Sequence, residues 1–167
     1  TYSNFEIIVV DDGSTDNMLN VILDIKKEDE RIEYVSLSRN FGEQRAILTG
    51  INYARGDVVI SLDSDLQHPP KYIAEMIAKL REGFDICIMK RAEAGHTNYL
   101  KKAFEVLFYK VLSKLADTPI FFRFAGFCLL DRKVIEAIKS FPERDMFLRG
   151  IIGFVGFKTI EIEYKED

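Results

Sequence analysis

Four aspartates are the residues best able to do chemistry in this chain, and they come in two close pairs. Asp63 and Asp65 stand one residue apart in ISLDSDLQHPP (60–70), directly after an apolar run. Asp11 and Asp12 stand together in EIIVVDDGSTD (6–16), after another. Like charges at such spacing repel unless something positive lies near them. Side chains alternate faces along a strand, so Asp63 and Asp65 are expected to share a side if the strand runs on through them. Two converging carboxylates suit a hard divalent cation, Mg2+ or Mn2+. Such an ion takes one or two carboxylates, keeps waters, and fills its remaining positions with phosphate oxygens. The pattern reads as a metal–diphosphate site, with Gln67 or His68 as a further ligand. The plainer alternative is that acidic residues decorate a loop and cap the next helix. Asp11-Asp12-Gly13-Ser14 also admits two readings. One is a nucleotide pocket, in which a carboxylate accepts from a base N–H or ribose hydroxyls and Gly13 lets the backbone approach. The other is a helix N-cap in a solvated turn.

A diphosphate leaving group carries charge that must be neutralised as its bond breaks, which directs attention to arginines. Arg91 stands just past an apolar run, after Lys90, and Arg149 in FLRG is a second candidate, read as lying on a later loop. Each taken alone is also an ordinary surface arginine. His68 and His96 are the only histidines; His96 falls in the polar stretch AEAGHTN, and no Ser–His–Asp arrangement assembles.

The elements that must position these residues follow from periodicity. FEIIVV (5–10) is a continuous apolar, β-branched run, the pattern of a strand buried on both faces. Ser14, Thr15 and Asp16 are candidate N-caps for a helix whose apolar residues Met18, Val21, Ile22 and Ile25 recur at helical spacing. Residues 32–37 read as a second strand. SRNFGEQ leads into a helix with Ala46, Ile47, Ile51 and Ala54 on one face and Arg55-Gly56 at its end. DVVISL (57–62) is a third strand, and Pro69-Pro70 opens the helix KYIAEMIAKLREG. FDICIM (84–89) is a fourth strand. Residues 98–115 form a long amphipathic helix bearing Lys101, Lys102, Lys110 and Lys114. FAGFCLL is a further strand running into a helix over 131–141, and GFKTIEIEY ends the chain as a strand. Strand–helix alternation predicts βαβ units and a mostly parallel sheet between helices, an α/β fold. Ligands in such sheets bind beyond the carboxyl ends of the strands, where Asp11, Asp12, Asp63 and Asp65 fall.

The totals set bounds. The chain has 167 residues, 47% hydrophobic and 30% charged, enough for one compact domain (1–167) with a real core. A net charge of −4 argues against a general nucleic-acid binder. Cys87 and Cys128 lie in apolar contexts far apart, as core thiols in a reducing compartment and not as a disulfide or a zinc site. No apolar run reaches the roughly 20 residues that span a bilayer. The lysines on the 98–115 helix either meet anionic lipid head groups or form the solvated face of that helix. A homo-oligomer is left open.

With these residues placed, the sequence resembles the family 2 glycosyltransferases of GT-A fold, and within them the polyprenyl-phosphate branch of dolichyl-phosphate mannose synthases and bactoprenol glucosyltransferases. The matching segments are EIIVVDDGSTD, SRNFGEQRAILTG, ARGDVVISLDSDLQHPP, DTPI, LLDRKVIEAI and PERDMFLRGIIGFVGF, in the family's order and over nearly the whole chain. The resemblance implies a three-layer α/β/α sandwich around a mostly parallel central sheet. It implies a nucleotide-sugar donor, UDP- or GDP-linked, gripped near Asp11, with Asp12 and Gly13 shaping the turn and Asn40 and Gly42 lining the pocket. Asp63, Ser64, Asp65 and Gln67 would meet the diphosphate and its Mg2+ or Mn2+, with Asp65 catalytic and Arg91 and Arg149 facing the phosphates. The implied acceptor is a polyprenyl phosphate at the cytoplasmic side of a membrane, attacked through its phosphate oxygen to give an inverted product.

The resemblance also implies departures. Family members usually begin one strand earlier and many continue into membrane helices, so the chain is expected to be a trimmed catalytic domain. Many relatives carry G-D-F-R-L before the L-x-D-R helix. Here Ala125-Gly126-Phe127-Cys128-Leu129 replaces both its acidic residue and its arginine. Two other classes compete. A receiver-like signalling domain would share VVDD and an aspartate ending the third strand, but Arg91 stands where its lysine is expected. An inactive GT-A-like nucleotide-binding domain would share the fold without turnover. A nucleotidyltransferase would need a glycine-rich N-terminal loop that the sequence lacks.

Overall fold

The computed structural model describes residues 4–92, 126–141 and 148–165. The expected 98–115 helix, its lysines, His96 and the DTPI segment lie outside the described residues. The chain packs as two compact units, Thr1–Val59 and Ile60–Asp167.

In the first unit, strand β1 (Ile7–Asp11) pairs in parallel with β2 (Ile32–Ser36), with Ile7 opposite Ile32 and Asp11 opposite Ser36. Helix α1 (Met18–Glu28) connects them and buries Ile22. Its N-cap is Asn17, not one of the expected Ser14, Thr15 or Asp16. Asp16 instead accepts the Met18 N–H through Oδ1 at 2.9 Å. Lys26 and Lys27 sit in the last turn, at the negative end of the helix dipole. Lys26 Nζ also donates to the Ile32 carbonyl at 2.8 Å, tying helix to strand. Helix α2 (Glu43–Tyr53) buries Leu48 and Ile51. The Glu6 carboxylate accepts the Arg55 and Gly56 N–H groups beyond its end, at 2.7 and 3.1 Å.

The second unit, which takes Ile60 and Ser61 of β3, is built on a four-stranded sheet in the order β3 (Val58–Ser61), β5 (Cys128–Asp131), β4 (Ile86–Arg91), β6 (Thr159–Tyr164). β4 runs parallel to β6 and antiparallel to β5. Ile86, Cys87, Ile88 and Met89 are all essentially inaccessible, as expected of a central strand covered on both faces. Pro70–Tyr72 form one 3-10 turn leading into α3 (Ile73–Arg81), which places proline where its missing N–H costs nothing. Helix α4 (Arg132–Lys139) is capped by Asp131, whose Oδ1 accepts the Lys133 N–H at 3.0 Å, and it buries Val134, Ile135 and Ile138. Helix α5 (Leu148–Phe154) follows, with Leu148 and Ile152 buried. None of the described helices is long and apolar enough to cross a membrane.

Candidate functional site

In the first unit the DDGS and RNFG segments form one interlocked structure. Asp11 ends β1 and is only 6% exposed. Its Oδ1 accepts the Ser14 N–H and its Oδ2 the Ser36 hydroxyl, both at 2.9 Å. Hydrogen bonds from Ser14, then Ser36, outweigh the cost of burial and hold its pKa below the ordinary carboxylate value. Asp12 clasps the second segment, accepting the Phe41 N–H through Oδ1 and the Gly42 N–H through Oδ2, each at 2.8 Å.

Gly13 makes the close approach possible. Its φ of +73° is left-handed, and a Cβ there would lie 2.3 Å from the Arg39 carbonyl carbon and 2.7 Å from the Asn40 nitrogen. Gly42 has φ +93° and is the N-cap of α2, its carbonyl accepting from the Arg45 and Ala46 N–H groups. The Arg39 guanidinium lies 4.8 Å over the Phe41 ring. Asp12 and Gly13 thus pack against Asn40 and Gly42, with Asp11 at the strand end beside them, and Asn40 is left exposed. Ser36 was not singled out in the sequence, because only the β1–β2 register sets it opposite Asp11.

In the second unit the Asp63–Asp65 pair is arranged differently from the expectation. β3 stops at Ser61, so the two aspartates do not share a strand face. They belong to a turn in which Leu66 takes a left-handed φ of 66°. Two hydrogen bonds close that turn. Asp65 Oδ1 accepts the Gln67 N–H at 3.0 Å, and His68 Nδ1 accepts the Asp63 N–H at 2.8 Å.

His68 is 4% exposed, stacked on Phe127 at 4.8 Å and edge-on to Tyr164 at 6.0 Å. The Tyr72 ring meets Tyr164 at 5.9 Å, and its hydroxyl accepts the Lys165 N–H at 3.1 Å. An acceptor Nδ1 carries a lone pair, so the hydrogen bond assigns the ring proton to Nε2. The 3.7 Å approach of Asp63 Oδ2 to the same Nδ1 is therefore not an ion pair. Neither ring nitrogen offers a spare lone pair, which corrects the expectation of His68 as a metal ligand.

The remaining candidates lie on other elements. Arg91 is the exposed last residue of β4, opposite Tyr164 of β6. Arg149 lies in the first turn of α5 and not on a loop, because Leu148 and Ile152, at i and i+4, drive that segment into helix. Gly126 has φ +80°, a left-handed conformation before β5 that favours glycine over an acidic residue, and Phe127 and Cys128 beyond it are fully buried.

The donor chemistry of the turn fits a hard divalent cation. Asp65 is exposed and Asp63 is half-buried with its side chain 40% accessible, and Asp65 engages one of its two carboxylate oxygens with the Gln67 N–H. Among the described residues no three His, Cys, Asp or Glu side chains converge to make an all-protein cage. Two carboxylates without a third protein ligand match Mg2+ or Mn2+ that completes its shell with substrate phosphate and water. An all-oxygen donor set does not suit a soft, thiolate-seeking metal.

The chain is similar to known glycosyltransferases. The chain is 37% identical over its full length to the uncharacterized glycosyltransferase YkcC of Bacillus subtilis, covering 52% of that protein. It is 36% identical, over 95% of its length, to the prophage bactoprenol glucosyl transferase homolog of Escherichia coli, again covering 52%. The chain therefore spans about half the length of the curated relatives it matches. Among solved structures it superposes on the Pyrobaculum calidifontis mannosyltransferase, in complex with GDP-mannose and Mn2+. That match has a TM-score of 0.63 at 20% identity, over 96% of this chain and 47% of the other. At that identity the likeness fixes the fold, which is of GT-A type. The glycosyl transferase family 2 model matches residues 1–139, and with motifs, fold and relatives in agreement, the chain belongs to glycosyl transferase family 2.

Proposed function

We propose that this domain carries the donor half of an inverting hexosyl transfer from a UDP- or GDP-sugar to a polyprenyl phosphate. The observation that carries the reading is the Asp63–Asp65 turn, two solvent-accessible carboxylates on a loop closed by two hydrogen bonds, with no third protein ligand among the described residues. The names of the bactoprenol glucosyl transferase relatives support the lipid acceptor, and the Mn2+ and GDP-mannose in the mannosyltransferase support the donor and the metal.

In this reading Asp12 and Gly13 hold the RNFG backbone in place for the nucleotide, Asp11 keeps the strand end rigid, and Asn40 and Gly42 line the donor. Asp63 and Asp65 hold the cation, with Ser64 and Gln67 beside the diphosphate. When bound there, Mg2+ or Mn2+ neutralises charge on the departing nucleoside diphosphate. Arg91 and Arg149 add positive charge toward the phosphates. The acceptor phosphate is anionic near neutral pH, so its oxygen attacks the anomeric carbon with little need of a general base. The C–O bond to the nucleotide breaks on the opposite face, and the configuration inverts. A lipid acceptor sets the reaction at a membrane surface, on the cytoplasmic side where nucleotide sugars are made.

Calorimetric titration of UDP- and GDP-sugars into the full gene product, with Mn2+ and then with EDTA, tests this. One nucleotide should bind in a metal-dependent way. Asp65→Ala should abolish that binding and lower transfer to a polyprenyl phosphate by about a hundredfold or more, the equivalent of several kcal/mol of charge stabilisation. Absence of nucleotide binding under all conditions would remove the reading. Binding without turnover would favour an inactive nucleotide-binding relative.

A further inference from the structure

The Asp63 N–H lies two residues beyond the end of β3, where no ladder partner is available to it. It is satisfied by a side chain from the same loop, His68 Nδ1, at 2.8 Å. The ring that supplies this acceptor is itself held on two sides, stacked on Phe127 and edge-on to Tyr164, both of which are at most 2% exposed. The loop of residues 63–68 is therefore tied at its start to a buried aromatic cluster, while Asp65 closes its middle onto the Gln67 N–H. Leu66 is held left-handed between the two ties and is 88% exposed, so its own packing does not fix it there.

We infer that His68 is a positioning residue for the cation site of the Asp63–Asp65 turn, acting through the Asp63 backbone and not as a ligand. The inference rests on the metal–diphosphate reading of that turn. Its content is geometric. A carboxylate binds a cation well only when the backbone that carries it is already in place, and outer groups that orient a ligand typically change metal affinity by about 10–100-fold. Two parts of the imidazole have separable tasks. The flat ring fills the slot against Phe127, and Nδ1 accepts from Asp63.

Two substitutions divide these tasks. His68→Phe keeps a ring for the stack and removes the acceptor. His68→Asn removes most of the ring, and its Oδ1 falls close to where Nδ1 was. The experiment is a titration of Mn2+ in the presence of UDP or GDP, read from the loss of the free-ion electron paramagnetic resonance signal. It uses the full gene product, with thermal unfolding measured on the same samples. His68→Phe should bind Mn2+ about tenfold more weakly while its Tm stays near wild type. His68→Asn should lower the Tm yet keep Mn2+ affinity within about threefold of wild type. Unchanged Mn2+ affinity in His68→Phe overturns the inference even if His68→Asn fails to fold. Equal losses of affinity in both variants, tracking their losses of Tm, also overturn it and leave His68 as a packing residue. Wild-type protein that binds no Mn2+, or binds it equally after Asp65→Ala, brings down the metal reading itself and the inference with it. That outcome differs from the other two because there the wild type still binds.

Discussion

Replacing Gly13 with alanine tests whether the DDGS and RNFG segments form one rigid structure. A Cβ at this position would sit 2.3 Å from the Arg39 carbonyl carbon, 2.6 Å from its Cα and 2.7 Å from the Asn40 nitrogen. All three are backbone atoms, so no side chain can rotate away. An ordinary contact of 3.4 Å would need the Arg39 carbon to retreat by about 1.1 Å. That retreat would stretch the Asp12 hydrogen bonds to the Phe41 and Gly42 N–H groups, both now 2.8 Å, beyond good geometry. The left-handed backbone at φ +73° adds roughly 1–2 kcal/mol for any L side chain. Weakening this pair by the equivalent of one full hydrogen bond to a charged acceptor adds about 1.5–3 kcal/mol.

The expected cost of Gly13→Ala is thus about 3–5 kcal/mol by urea unfolding, with weakened nucleotide binding. Gly42→Ala is the internal control. Its φ of +93° carries the same conformational penalty, but nothing lies within 4 Å of the added carbon, so it should cost only about 1–2 kcal/mol. Equal costs for the two variants, or a Gly13→Ala cost below about 1 kcal/mol, would refute the close approach as the reason for this glycine.

Two further outcomes follow from perturbed groups. The Asp11 carboxyl has its pKa lowered from an ordinary 3.8 by hydrogen bonds from Ser14 and Ser36, so its ionised form stabilises the fold above that pH. Asp11→Asn should therefore be destabilised by about 1–3 kcal/mol at pH 7, and the gap to wild type should narrow as pH falls through the depressed value, read from unfolding midpoints at pH 7 down to 3. Burial pushes the thiols of Cys87 and Cys128 up to about 11 and about 12. Both should resist iodoacetamide at pH 8 in the native protein and react together on unfolding, as mass spectrometry would count; labelling of the folded protein would refute their burial.

The strands and the motifs at their ends were legible in the amino-acid pattern alone. The runs FEIIVV, DVVISL and FDICIM each became a strand, but only Ile86–Met89 of the third are fully covered, whereas Phe5, Ile7 and Leu62 of the other two stay 43% exposed. Gly13 was legible as a point of close backbone approach, and Cys87 and Cys128 as core thiols. The segments EIIVVDDGSTD, SRNFGEQ and ISLDSDLQHPP marked the family.

Tertiary structure decided how those motifs are held. Ser36 supports Asp11 only because the β1–β2 register sets them opposite each other, and register is a property of two strands, not of one. The end of β3 at Ser61 moved Asp63 and Asp65 off a shared strand face into a turn, and the strand alternation in the sequence could not show where pairing stops. FLRGIIGF contains two glycines, weak helix formers, yet burial of Leu148 and Ile152 makes it a helix and carries Arg149 off its expected loop. His68 looked like a spare ligand in a polar loop. Its stacking on Phe127, 59 positions away in the chain, turned it into the acceptor that holds the Asp63 backbone, because a side chain's available lone pairs depend on neighbours that only folding supplies.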